Sequence, residues 1–206
     1  MVISKYDSEQ VAKILLKINA VKLQPSNFFT WSSGKKSPIY CDNRLLLSHV
    51  KERSIIITLF CKYIKQTYTS IDYIAGVATG AIAHGMMVAN SMELPFIYIR
   101  DNAKQHGRQN QIEGHLNSNS RVVVVEDLIS TGKSSINAIK AIEKTNSKVI
   151  GLVSIFTYEL IDKSKIKTPC FSLCTYSTLI NTAIENKIIS QRDRDILSSW
   201  KQDNLN

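Results

Sequence analysis

What this chain lacks narrows its class before any motif is read. No apolar stretch approaches the roughly 20 residues that a membrane helix needs. The opening MVISKYDSEQ does not have the charged-then-apolar layout of a secretory signal. Cytoplasm is therefore the expected compartment, and no membrane partner is expected. Cysteine is scarce: Cys41, Cys61, Cys170 and Cys174 form no CxxC pair, and no His/Cys spacing suits zinc. All four are expected as reduced thiols, with Cys170 and Cys174 on one face of a strand as core packing. The four prolines and eight glycines gather into no linker, and the chain shows no internal repeat or low-complexity tract. His49, His84 and His115 have no partner pattern, so core or surface roles are expected for them.

What is present is enough for one core. At 206 residues and 44% hydrophobic content, a single domain over 1–206 is the natural expectation. The formal charge of +9 permits either a nucleic-acid surface or a cleft that concentrates a polyanionic small molecule. The lysines are spread without a run of five or six and aromatics do not interleave with them, so charge alone decides nothing.

Periodicity sorts the chain into alternating units. Val11, Ile14, Leu15 and Ile18 follow helical spacing after Asp7, with Asp7 and Gln10 placed as a cap pair. A second helix is expected from Ser48 to about Gln66. Then come strand Ile71–Val77, helix Gly80–Asn90, strand Phe96–Arg100, strand Arg121–Glu126, helix Lys133–Lys144 and strand Val149–Phe156. A short strand Phe171–Tyr176 and helices Thr178–Asn186 and Gln191–Lys201 close the chain. Alternation of this kind predicts an α/β fold with a right-handed parallel sheet flanked by helices.

The most informative string is VVVVEDLISTGKSS, Val122 to Ser135. Four β-branched residues suit a strand buried on both faces, and its carboxyl end carries Glu126 and Asp127 to the crevice where such folds bind ligands. Backbone amides from Ser130 to Ser134, at a helix start, would form an anion cup. A sugar phosphate fits: its diol to the acids, its phosphate to the amides. A Walker A loop does not, because Asp127 stands five before Gly132 where that motif needs glycine. Between Asp101 and Ser120 no apolar period survives, and a gap this long inside a domain points to function. Its start carries Arg100, Lys104, His106 and Arg108, while Gly107 and Gly114 allow bending. That cluster reads as a lid closing over an anionic substrate.

The first string resembles the phosphoribosyl pyrophosphate signature of type I phosphoribosyltransferases, with Lys133 where a second glycine is usual. The resemblance narrows to the orotate members through the lid, R-x-x-x-K-x-H-G followed by I-E-G. It is strengthened by FFTWSSGKKSPIYCDNR, Phe28 to Arg44, similar to that family's N-terminal hood, with Tyr40 near a flat ligand. IAGVATGAIAHGMMVAN, Ile74 to Asn90, matches its pyrophosphate loop, with Thr79 and Gly80 in place of Tyr-Lys. Asp101 and Ser32 stand where many or some members carry lysine. The family's later arginine against orotate has no match around Phe156 to Leu160. The likeness spans about residues 6 to 185.

The resemblance implies a type I phosphoribosyltransferase-like sheet with a small hood, from about 1–45 plus C-terminal elements, over a core of about 46–160. It implies transfer of a ribosyl 5-phosphate to orotate in pyrimidine biosynthesis. Lys104, His106 and Asp127 are the implied catalytic residues. Arg100, Lys104, His106, Glu126, Asp127, Leu128, Ile129, Ser130, Thr131, Gly132, Lys133 and Ser134 are the implied binding residues. Mg²⁺ would be held mainly by substrate, and a homodimer would share its sites through the lid. No nucleic acid is expected, because a regulator on this fold needs a DNA-reading segment and the spare N-terminal length is one helix. A transferase for another base would lack the hood and the K-x-H-G loop.

Overall fold

The computed structural model describes residues 3–31, 34–101, 111–161 and 163–205. Its centre is a six-stranded sheet in the order β10-β9-β8-β5-β6-β7. The strands are β5 (Tyr73–Val77), β6 (Phe96–Ile99), β7 (Ile112–Glu113), β8 (Arg121–Ile129), β9 (Lys148–Thr157) and β10 (Cys170–Thr175). All neighbours run parallel except β6 and β7, which are antiparallel. The chain first steps from β5 outward to β6, then returns to lay β8, β9 and β10 on the other side of β5. Strand order therefore reverses between β5 and β8, and the crevice beyond their carboxyl ends is where this kind of sheet takes a ligand.

The valine run shows why β8 is central. Val123 and Val125 face a core shared with α1 (Lys5–Lys17), α2 (Val50–Thr67) and α5 (Tyr176–Glu185), whereas Val122 and Val124 face α4 (Lys133–Glu143). All four are fully buried. A period of two with both faces apolar is what a strand between helical layers requires. α3 (Ala81–Met92) follows β5, and α6 (Gln191–Asp203) closes the described chain.

Ahead of the sheet stand two short ladders. β1 (Val21–Leu23) pairs antiparallel with β4 (Ile39–Cys41), and β2 (Phe29–Thr30) with β3 (Lys36–Ser37). A 3-10 turn, Asn43–Ser48, leads from β4 into α2. Short ladders need outside support, and aromatic side chains supply it. Trp31 donates its indole N–H to the Ile39 carbonyl (3.1 Å), and Trp200 of α6 donates to the Lys36 carbonyl (3.1 Å). The two rings meet edge-on at 5.9 Å, with Tyr158 packed against both.

The parallel α/β expectation holds, with shifts at several boundaries. β8 runs through both acids to Ile129 instead of stopping at Glu126, since Glu126, Leu128 and Ile129 remain in register with Ser154, Phe156 and Thr157 of β9. A ladder is made by backbone groups, so a polar side chain need not end it. α1 begins earlier than expected. Its cap is Ser4, whose hydroxyl accepts from the Asp7 N–H at 3.1 Å, and Asp7 is not the cap. The Asp7 carboxylate instead turns inward to accept from the Tyr63 hydroxyl and the Lys62 ammonium, each at 2.6 Å. Those hydrogen bonds hold its carboxyl below the usual range. Cys174 is core as expected, but Cys170 is exposed at the start of β10. The gap 101–120 contains the short strand β7.

Candidate active site

Two acids at the end of β8 meet two loops from other parts of the chain. Glu126 is only 4% exposed, and the Ser135 hydroxyl donates to its Oε1 at 3.0 Å. Burial, with the neighbouring Asp127 charge adding to it, pushes its carboxyl up to about 8. Asp127 is half-buried, and burial raises its carboxyl too. An acid that keeps its proton in the fold well above its ordinary value of 4.5 favours folding most at low pH. That contribution declines as pH climbs from 4.5 through about 8 and is level above it. Melting curves of the wild type and Glu126→Gln are expected to diverge across that window, the wild type losing ground. Parallel curves would mean that Glu126 ionises normally.

Asp127 lies directly against the β5–α3 loop. A β-carbon at Gly80 would sit 2.2 Å from Asp127 Oδ2, so the acid fills the space that glycine leaves open. The Ala78–Thr79 peptide bond in this loop is cis. From the hood side, the Asn43 side-chain amide donates to the Asp127 carbonyl at 2.6 Å, across 84 residues of sequence. The acid strand, the β5–α3 loop and the hood therefore converge on one residue.

After β8 the chain turns through Ser130 and Thr131 to Gly132, whose φ of +79° is a left-handed value that suits glycine. α4 then starts at Lys133 with no side-chain cap. The first amides of an uncapped helix are free to receive an anion. Thr131, Lys133 and Ser134 are exposed around them, and Ser130 is half-buried. Leu128 and Ile129 are strand residues; Ile129 is buried, and its carbonyl accepts from the Tyr158 N–H. Arg100 directly follows β6, its guanidinium 3.4 Å from Glu113. Lys104, His106 and Arg108 lie outside the described residues, as do Ser32 and Ser33 of the hood.

Sequence reasoning did not single out Asn43 or Ser135. Their signal is only that each is a small polar residue beside a motif, too common a pattern to read. The segment Phe156–Leu160 offers Tyr158, which is buried in the aromatic cluster and so lines no open cleft. His84 is in the core, where burial lowers its ring, and His115 is on the surface beside Asn117.

A strand carrying two acids near its carboxyl end, a glycine turn, and an uncapped helix at the reversal point make a layout suited to a sugar phosphate. It is the layout of a phosphoribosyl transferase domain, and the family model so described matches residues 45–185. Over 202 residues the chain is 46% identical to an orotate phosphoribosyltransferase of Bacillus cereus, covering 96% of each protein. It is 44% identical to one of Listeria monocytogenes, covering 94% of this chain and 95% of that one. A solved orotate phosphoribosyltransferase from Aeropyrum pernix superposes with a TM-score of 0.75 at 27% identity, over 87% of this chain and 99% of that one. The chain belongs to the orotate phosphoribosyltransferase family.

Proposed function

We propose that this protein transfers the ribosyl 5-phosphate of phosphoribosyl pyrophosphate to N1 of orotate, giving orotidine 5-monophosphate and pyrophosphate in pyrimidine biosynthesis. The observation that carries the proposal is the acid pair held between the glycine loop and the uncapped start of α4. Asp127 and Glu126 accept from the ribose hydroxyls. Amides and hydroxyls of Ser130, Thr131, Gly132, Lys133 and Ser134 take the 5-phosphate, and the Leu128–Ile129 backbone fixes the approach. Amides of the Ala78–Gly80 loop face the pyrophosphate.

As the bond to pyrophosphate breaks, positive charge grows at the anomeric carbon and negative charge on the leaving group. Asp127 steadies the first, and Lys104, His106 and Arg100 the second, each acting most strongly in the transition state. Arg100 leaves Glu113 to do so, an exchange that costs little for a partly exposed pair. No covalent nucleophile is needed. Mg²⁺ fits this site: Asp127 is an acid in a cleft with no hydrogen bond to its carboxylate from another described side chain, and such a cation keeps water and substrate oxygens around it. When bound it would neutralise the pyrophosphate. The lid is proposed to reach the neighbouring subunit of a homodimer, in one domain spanning 1–206; a monomer by sedimentation would count against shared sites. Among the described residues no helix is long and apolar enough to cross a membrane, and the cytoplasm is the proposed compartment, with no nucleic-acid partner.

Purified protein with Mg²⁺ and phosphoribosyl pyrophosphate is expected to consume orotate far faster than uracil, adenine or hypoxanthine, followed by absorbance. Preferential turnover of a purine would overturn the base assignment and leave the fold untouched.

A further inference from the structure

Orotate is an anion whose carboxylate sits on the ring carbon next to N1, the atom that attacks the sugar. Whatever cation reads that carboxylate must stand close to the anomeric carbon, hence close to the acid that holds the ribose. The segment Asp42–Asn43–Arg44 at the end of β4 meets that requirement. Asn43 is 1% exposed and anchors the segment on Asp127 through its 2.6 Å bond to the carbonyl. Arg44 follows immediately, and its guanidinium is fixed in a fork by Asp42, at 2.7 Å from Nε and 2.8 Å from Nη2. The charges that act on Asp127 from the hood are Arg44, which favours its ionised form, and Asp42, which opposes it.

Asp42 occupies only one edge of the fork. Among the described residues no other side chain bonds the Nη1 side of the guanidinium, and the side chain is 62% exposed. A planar guanidinium held on one edge is pre-organised to grip a second carboxylate on the other with two parallel bonds. The Tyr40 ring, 40% exposed and 5.8 Å from the Phe29 ring, provides an aromatic shelf alongside, and its hydroxyl lies within the field of Arg44. Lys36 of the same hood is tied to the Thr30 hydroxyl at 2.7 Å. Lys22, across the ladder from Tyr40, is the natural comparison.

Resting on the orotate reading above, we infer that Arg44 is the residue that selects the base, by binding the carboxylate of orotate with the open edge of a guanidinium that Asp42 holds in place. Asn43 is the positioning residue that sets Arg44 beside the reacting carbon.

The test compares Arg44→Gln, Arg44→Lys and Lys22→Gln with the wild type, measuring KM for each substrate separately. Loss of a charge-assisted bidentate contact is expected to raise the orotate KM roughly ten- to hundredfold in Arg44→Gln. The KM for phosphoribosyl pyrophosphate and the kcat should stay within about twofold, because binding that is equal in ground and transition states moves KM alone. Arg44→Lys should recover part of the loss, Lys22→Gln should match the wild type, and the preference for orotate over uracil should narrow in Arg44→Gln. An unchanged orotate KM, a matching rise in the other substrate's KM, or the effect appearing in Lys22→Gln would overturn the assignment while the proposed reaction stands. If the wild type itself fails to turn over orotate, the reaction is wrong and the inference falls with it.

Discussion

Gly80→Ala is expected to abolish most activity while leaving the protein folded. The backbone at Gly80 has φ −63° and ψ −34°, values that alanine adopts readily, so the substitution carries no conformational strain. The obstacle is the Asp127 carboxylate, whose three outer atoms lie 2.2–2.7 Å from where the new methyl would sit. A carboxylate at the end of a side chain can rotate away, at a cost of about 0.5–1.5 kcal/mol for an off-rotamer side chain. Rotation relieves the fold and spoils the site, because the acid leaves the position proposed for holding the ribose. Displacing a reacting or positioning group by about 1 Å can lower turnover by roughly a hundredfold. Steady-state kinetics and a melting curve on the same preparation check both halves. A variant with more than half the wild-type turnover would show that the position of Asp127 is not critical.

Gly151→Ala is expected to do the reverse. Gly151 lies in β9 opposite Val123, just after the register shift at which Ile150 of β9 goes unpaired. A methyl there would meet the Tyr68 ring at 2.2–2.6 Å. That ring cannot swing aside cheaply: it is 8% exposed, stacked on Phe171 with 6.3 Å between centroids, and its hydroxyl donates to the Pro169 carbonyl at 3.3 Å. Overpacking of this kind costs about 1–3 kcal/mol, and the upper end is expected where an aromatic must move. For a domain of this size that corresponds to a fall of about 6–12 °C in Tm, with kcat at 25 °C retained. Adding Tyr68→Ala should cost less in the variant than in the wild type, since the two changes share one clash. An unaltered Tm would show that the strand gives way more easily than its packing implies.

The contrast between these glycines shows what was legible in the sequence. The sheet and its helices could be read because Val122–Val125 and the repeat of Val11, Ile14 and Leu15 are local patterns with a single structural meaning. The acid pair, Gly132 and the start of α4 were legible for the same reason: they are adjacent in the chain. Asn43 was not, because its role depends on a bond to a carbonyl 84 residues away. Asp7 was misplaced as a cap, since a carboxylate near a helix start suits that role and only the distant Tyr63 and Lys62 draw it inward. The end of β8 was set at Glu126, too early, because what continues it to Ile129 is backbone pairing with β9, which the side chains do not reveal. Gly80 was read only as part of a pyrophosphate loop, and the room it leaves for a side chain from another strand was not legible there.

The bond from Trp200 to the Lys36 carbonyl spans 164 residues, and this has a consequence for how the protein is made. A ribosome adding about 5–20 residues per second delivers Trp200 roughly ten to thirty seconds after the strands it supports. During that interval β2 and β3 exist without the indole that braces them, and a two-stranded ribbon alone is barely stable in water. The β2–β3 ribbon thus becomes firm late in synthesis, after the strands of the central sheet have been made. That ribbon of the hood reaches its final support only once Trp200 has been delivered.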